Sequence, residues 1–146
     1  MQRLSRDKYP ETQALTQVNG IGSLTALAYV LTLERKERFA KSRQVGPFLG
    51  LVPRQDQSGD SAKQLPITKA GNEHLRRLLV GSAQYILGPF GADSTLRRKG
   101  LKIAGQGGKS AKKRAVVAVA RRLAVLLHRL WVTAEVYEPL RNAPTA

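Results

Sequence analysis

Residues 110–138 read SAKKRAVVAVARRLAVLLHRLWVTAEVYE. Val116, Val119, Ala120, Leu123, Leu127, Leu130, Trp131 and Ala134 recur there at intervals of three and four, the spacing that lines one face of a helix. The stripe predicts a long core helix from about Ser110 to Glu138, closed by Pro139. Upstream, Leu75, Leu78, Leu79, Ser82, Ala83, Ile86 and Leu87 repeat in the same way. They predict a second core helix, with Thr68, Asn72 or Glu73 serving its N-terminus and Gly88-Pro89 stopping it. Between the two helices, residues 88–109 carry glycine and base without an apolar stripe and read as a flexible connection.

Further back lies Val18-Asn19-Gly20-Ile21-Gly22-Ser23, followed by Leu24, Leu27, Ala28 and Leu31 at helical spacing. This is the pattern of helix, tight glycine turn, helix, with the second helix ending near Leu33, where charged residues take over. Gly50 and Pro53 break any helix, and residues 50–68 read as an irregular loop or a small β-hairpin with Leu65 and Ile67 as strand residues. The expected fold is mainly α: a helix-hairpin-helix-like pair plus long core helices. One domain over residues 14–140 is expected, with a flexible N-terminal segment over 1–13 and a short tail over 141–146.

Charge narrows the function. The chain holds 25 Lys and Arg against 10 Asp and Glu, a net charge of +15. Fifteen of the bases and four of the acids fall in residues 41–114, so the middle of the chain carries most of the field. A field of that size calls for a polyanionic partner. A membrane is not that partner, because the longest apolar runs, Ala115 to Ala120 and Leu123 to Leu127, are far too short to span one. The N-terminus lacks the apolar stretch of a signal peptide, so a cytoplasmic, nucleoid-associated location is expected. Cysteine is absent, and His74 and His128 are too far apart in sequence for a metal cluster, so no bound metal is expected.

Three segments bear on nucleic-acid chemistry. In Gly20-Ile21-Gly22 the glycines let backbone approach a phosphate, and the amides of the following helix supply donors. An ordinary packed turn fits the spacing equally well. From Leu96 to Arg114 eight bases (Arg97, Arg98, Lys99, Lys102, Lys109, Lys112, Lys113 and Arg114) occur without an acid, which suits tracking a phosphate backbone. Arg54, Lys63, Lys69, Arg76 and Arg77 surround Ser58 in sequence, and a serine nucleophile in phosphoryl transfer needs such cations. A serine before glycine is also an ordinary turn residue. Gly108-Lys109-Ser110 is no Walker loop, since the required glycine position holds Ile103. Gly20 and Gly22 are followed by Thr25 where a dinucleotide fingerprint wants a third small residue.

Val18-Asn19-Gly20-Ile21-Gly22 with Thr25-Ala26, Arg38-Phe39, Gly50-Leu51-Val52-Pro53-Arg54, Ser58-Gly59, Ile67-Thr68-Lys69-Ala70-Gly71-Asn72 and Leu75-Arg76-Arg77-Leu78-Leu79 stand in one order. In that order, from about Tyr9 onward, the chain resembles the C-terminal domain of the insertion-sequence one-ten family of transposases, also called bridge recombinases. The resemblance implies a serine nucleophile, Ser58 with Ser61 as its rival, that becomes transiently joined to a DNA end. It implies duplex DNA and a structured guide RNA as partners, and a homo-oligomer as the active assembly. It also implies an N-terminal resolvase-like nuclease domain with acidic metal ligands. That domain has no counterpart here, so the chain is expected to be inactive alone, with magnesium belonging to the full-length enzyme. The alternative is a non-enzymatic helix-hairpin-helix module that holds DNA or RNA. A ribosomal protein fits the charge but not the motif order.

Overall fold

A computed structural model describes residues 9–51 and 70–141, with the side chains of Ala70 and Gly71 left aside. Six α-helices run in chain order among the described residues: α1 (Thr12–Leu15), α2 (Ser23–Leu33), α3 (Val45–Phe48), α4 (Ala70–Leu87), α5 (Thr95–Ala104) and α6 (Gly108–Thr133). Two single-turn 3-10 helices, Lys36–Arg38 and Ser42–Gln44, join α2 to α3. No strand occurs among the described residues, so the fold is mainly α. The hairpin expected around residues 50–68 lies outside them apart from Gly50 and Leu51.

The centre of the molecule is α6, which every other helix touches or approaches. Its buried face carries Val119, Leu123, Leu127 and Leu130, and Leu75, Leu79 and Ala83 of α4 pack on it. Tyr29 of α2 is fully buried in this core, where its hydroxyl donates a 2.6 Å hydrogen bond to the Ala124 carbonyl. Trp131 meets the ring edge-on at 6.5 Å. Burial pushes the Tyr29 phenol well above its ordinary range, so it remains a donor. His128, also buried, ties both 3-10 turns to α6. Its Nε2 lies 2.9 Å from the Lys36 carbonyl, which only accepts, so Nε2 carries the hydrogen. The Ser42 hydroxyl then donates to Nδ1 at 2.8 Å.

Three expectations are corrected. Residues 88–109 are not a flexible connection, because Thr95–Ala104 is a helix. Ser94 caps it, its hydroxyl accepting from the Arg97 amide at 3.0 Å. The inward face of α5 consists of Leu96 and Gly100. A Cβ on Gly100 would lie 2.5 Å from Leu87 Cδ2 and 2.6 Å from Val119 Cγ2, so this crossing needs a residue without one. Pattern reading finds no stripe there because glycine occupies a core position.

The last helix ends at Thr133, five residues before the expected end, and Ala134 is its left-handed cap at φ 56° rather than a stripe residue. Residues 135–141 turn back: the Tyr137 amide donates to Gln17 Oε1 at 2.8 Å, and the Thr95 amide to the Pro139 carbonyl at 2.8 Å. In α2 the expected stripe is partly wrong, since Leu24 and Leu31 are each 50% exposed. Thr25, Ala26, Tyr29, Val30 and Leu33 face inward with Leu27. This helix is apolar nearly all round, so spacing alone does not choose its buried face. In α1, Thr12 is buried, and its hydroxyl donates to the Tyr9 carbonyl at 2.8 Å.

Candidate nucleic-acid interface

The glycine turn joins α1 to α2. Gly20 takes φ +100°, a left-handed conformation that L side chains rarely adopt. A Cβ there would sit 3.2 Å from Ile86 Cγ1, so the glycine's close approach is to α4. Ile21 is 4% exposed and belongs to the core. Gly22 is exposed with open space around it and leads directly into the N-terminus of α2. Of the three turn residues, Gly22 is exposed, Gly20 half-buried and Ile21 buried.

The basic run from Leu96 to Arg114 divides by what each cation already does. Arg97 closes the end of α4, its Nε donating to the Ile86 carbonyl at 3.0 Å and its Nη2 to the Gly88 carbonyl at 3.1 Å. Such carbonyls have no partner within their own helix, and Arg97 supplies one. Arg98 grips Asp93 through two bonds of 2.9 and 2.7 Å. That hydrogen bond, more than the charges, holds the Asp93 carboxyl below the ordinary carboxylate range and raises Arg98 in turn. Arg114 donates to Ser110 Oγ and Gln106 Oε1. Lys99, Lys102, Lys109, Lys112 and Lys113 are exposed.

Around the expected serine site, Arg76 donates to the Leu49 carbonyl at 3.3 Å and Arg77 pairs with Glu73 at 2.7 Å. Ser58, Arg54, Lys63 and Lys69, together with Ser61, lie outside the described residues. Their neighbours are informative, because Gly50, Leu51, Arg76 and Arg77 line one cavity of about 800 Å³ with Lys113 and Arg121. Cations of α4 and α6 thus line one cavity with Gly50 and Leu51.

A second cavity, of about 530 Å³, opens between α5, α6, the α3 region and the returning C-terminal segment. Arg43, Lys99, Arg121, Arg122, Arg129 and Arg141 contribute to its lining, against the single lining carboxylate of Glu138. Arg129 and Arg141 both reach Glu135, at 3.3 and 3.6 Å. Sequence reading missed Arg43, Arg121, Arg122, Arg129 and Arg141 here. Four of them fall in residues 115–146, where bases exceed acids by only two. The available signal was the Arg121-Arg122 pair, which sits eight residues after Lys113-Arg114 and so two helical turns along α6.

Among the described residues no group of three or more His, Cys, Asp or Glu is placed to hold a metal ion. Glu34, Glu73, Asp93 and Glu135 are instead engaged by arginines. No described helix is long and apolar enough to cross a membrane.

Comparison with known proteins agrees with the basic surface. The profile described as "Transposase IS116/IS110/IS902 family" matches residues 12–95. The transposase for insertion sequence element IS1111A of Coxiella burnetii is 33% identical over 127 residues, 87% of this chain and 34% of that protein. The transposase for insertion sequence element IS1328 of Yersinia enterocolitica is 39% identical over 75 residues, 51% of this chain and 22% of that protein. The chain thus spans about a third or less of the length of these relatives. No solved structure matches it. With a family profile covering more than half of its length, the chain belongs to the IS116/IS110/IS902 family of transposases.

Proposed function

We propose that this chain is the C-terminal, nucleic-acid-engaging domain of a DNA transposase, in which Ser58 is the nucleophile. The carrying observation is that the family match over residues 12–95 runs through position 58, while the described residues beside that segment form a cationic cavity. In the reaction the Ser58 oxygen bonds to a scissile DNA phosphorus and the deoxyribose oxygen leaves with a proton, so the DNA end is held as a serine ester. Rejoining reverses this with a different deoxyribose hydroxyl. In this reading Arg76 favours the step: its Nη1 donates to the Leu49 carbonyl at 3.3 Å, and the side chain lines the cavity.

Duplex DNA and a structured guide RNA are the partners of this reading, within a homo-oligomeric assembly. In this reading the magnesium of the whole enzyme belongs to an N-terminal nuclease domain, and the chain is inactive without that domain. The test supplies this chain with the nuclease domain, guide RNA and target DNA, and traps covalent protein–DNA adducts. Wild type is expected to form an adduct that Ser58→Ala abolishes and Ser61→Ala retains. An adduct that survives Ser58→Ala refutes the assignment.

A further inference from the structure

The two cavities share Arg121, and successive turns of α6 line both. Lys113, Val117 and Ala118 border the first, Val125, Leu126 and Arg129 the second. From Lys113 to Arg129 the helix rises roughly 24 Å at about 1.5 Å per residue. Opposite it, Ile103 of α5 borders the first cavity and Lys99, one turn away, the second. They are therefore two stretches of one groove along α6.

Five cations along this groove carry neither an ion pair nor a hydrogen bond among the described residues: Arg43, Lys99, Lys113, Arg121 and Arg122. Arg121 is deliberately seated. Gly46, buried in α3, has the Arg121 Cγ where its own Cβ would be, 2.9 Å away, so the missing side chain makes room for the arginine stem. Arg121 lines both cavities from this seat.

We propose that this groove binds the phosphates of one strand of a DNA duplex, with Arg43, Lys99, Lys113, Arg121 and Arg122 as the contacts. The proposal rests on the nucleic-acid reading above and adds a place and a form of ligand to it. Free cations in a row match the regularly spaced charges of a phosphate backbone. A single strand is disfavoured because Tyr137, half-buried, is the one aromatic side chain in the lining, and single-stranded sites use stacked aromatics. Duplex RNA is disfavoured because the lining is mainly guanidinium, ammonium and aliphatic, with few short polar groups to read 2′-hydroxyls.

The test measures affinity of the 146-residue chain for a DNA duplex of arbitrary sequence, about two helical turns long, across a salt series. The fivefold replacement of these residues by Gln is compared with Arg35→Gln/Lys41→Gln, two exposed cations outside both linings. For the fivefold variant the log–log salt slope is expected to shrink by about 4.5, at about 0.9 per lost contact. The control is expected to keep wild-type groove binding. If the fivefold variant loses helicity, the exposed single changes Lys99→Gln and Arg122→Gln are read instead, each expected to lower the slope by about 0.9. Wild type that binds DNA, with variants that keep its affinity and slope, overturns the groove while leaving the functional reading intact. Wild type that binds no nucleic acid at any salt refutes the functional reading itself. Equal or tighter binding of an RNA duplex, or of single-stranded DNA, overturns the choice of ligand.

Discussion

The arginines of the run from Leu96 to Arg114 and those in the middle of α6 are put to opposite uses. The run holds eight bases and no acid, yet Arg97 is spent on the end of α4, Arg98 on Asp93 and Arg114 on its own helix. The middle of α6 offers two arginines, Arg121 and Arg122, and both are free of partners among the described residues. Charge density along a sequence is therefore a poor measure of charge available to a ligand. What decides is whether a guanidinium has a carbonyl or carboxylate within reach, and that depends on neighbours far away in sequence.

The largest expected effect tests whether the α5 segment is packed as described. Gly100→Val places a branched side chain into Leu87 and Val119, and overpacking of this kind costs typically about 1–3 kcal/mol or more. Thermal unfolding is expected to show a drop of that order. An unchanged melting temperature would mean that the segment is not docked and that its arginines are free after all.

Smaller but more discriminating is the contrast between adjacent arginines. Arg97→Ala removes two charge-assisted bonds to backbone carbonyls, worth about 1.5–3 kcal/mol each at the upper end, and should lower stability clearly. Arg98→Ala removes an exposed ion pair, whose worth is about 0–1 kcal/mol. Chemical denaturation that ranks the two the other way would invert the assignment of which cation serves the fold.

How far the sequence reveals this division depends on the kind of signal. The core face of α4 is legible, because Leu75, Leu79, Ala83 and Ile86 repeat at helical spacing and are all buried. Most of α6 is legible for the same reason. The α5 helix is hidden, since Gly100 carries no hydrophobic signal although it sits at the tightest crossing. The buried face of α2 is selected by Tyr29 reaching Ala124, a contact across 95 residues that periodicity does not contain. Family resemblance is legible in the motif order, and the profile over residues 12–95 agrees with it. The groove is not legible, because Arg43, Lys99 and Arg121 come from three separate elements and meet only when α3 and α5 pack on α6. Ser58 stands on motif order alone, outside the described residues.

The smallest effect is a pH dependence. Asp93 has its carboxyl lowered by the Arg98 hydrogen bond, so the pair's contribution is present above the ordinary carboxylate value of about 4 and fades as pH falls through the lowered one. Asp93→Asn is expected to melt slightly below wild type at neutral pH, and the two curves should converge in acid. A gap that widens as pH falls would reverse the sign and remove the ion pair from the account.

The division between spent and available cations is tested most directly by lysine protection. The chain is treated with an amine-reactive reagent with and without bound duplex DNA, and modification at each lysine is read by mass spectrometry. Lys99 and Lys113 line the groove, whereas Lys102, one turn from Lys99 on the same helix, lines neither cavity. DNA is expected to protect Lys99 and Lys113 while Lys102 reacts as before. Protection of Lys102 and Lys109 with Lys99 left reactive would place the nucleic acid at the α5–α6 turn, outside the groove, and contradict the account.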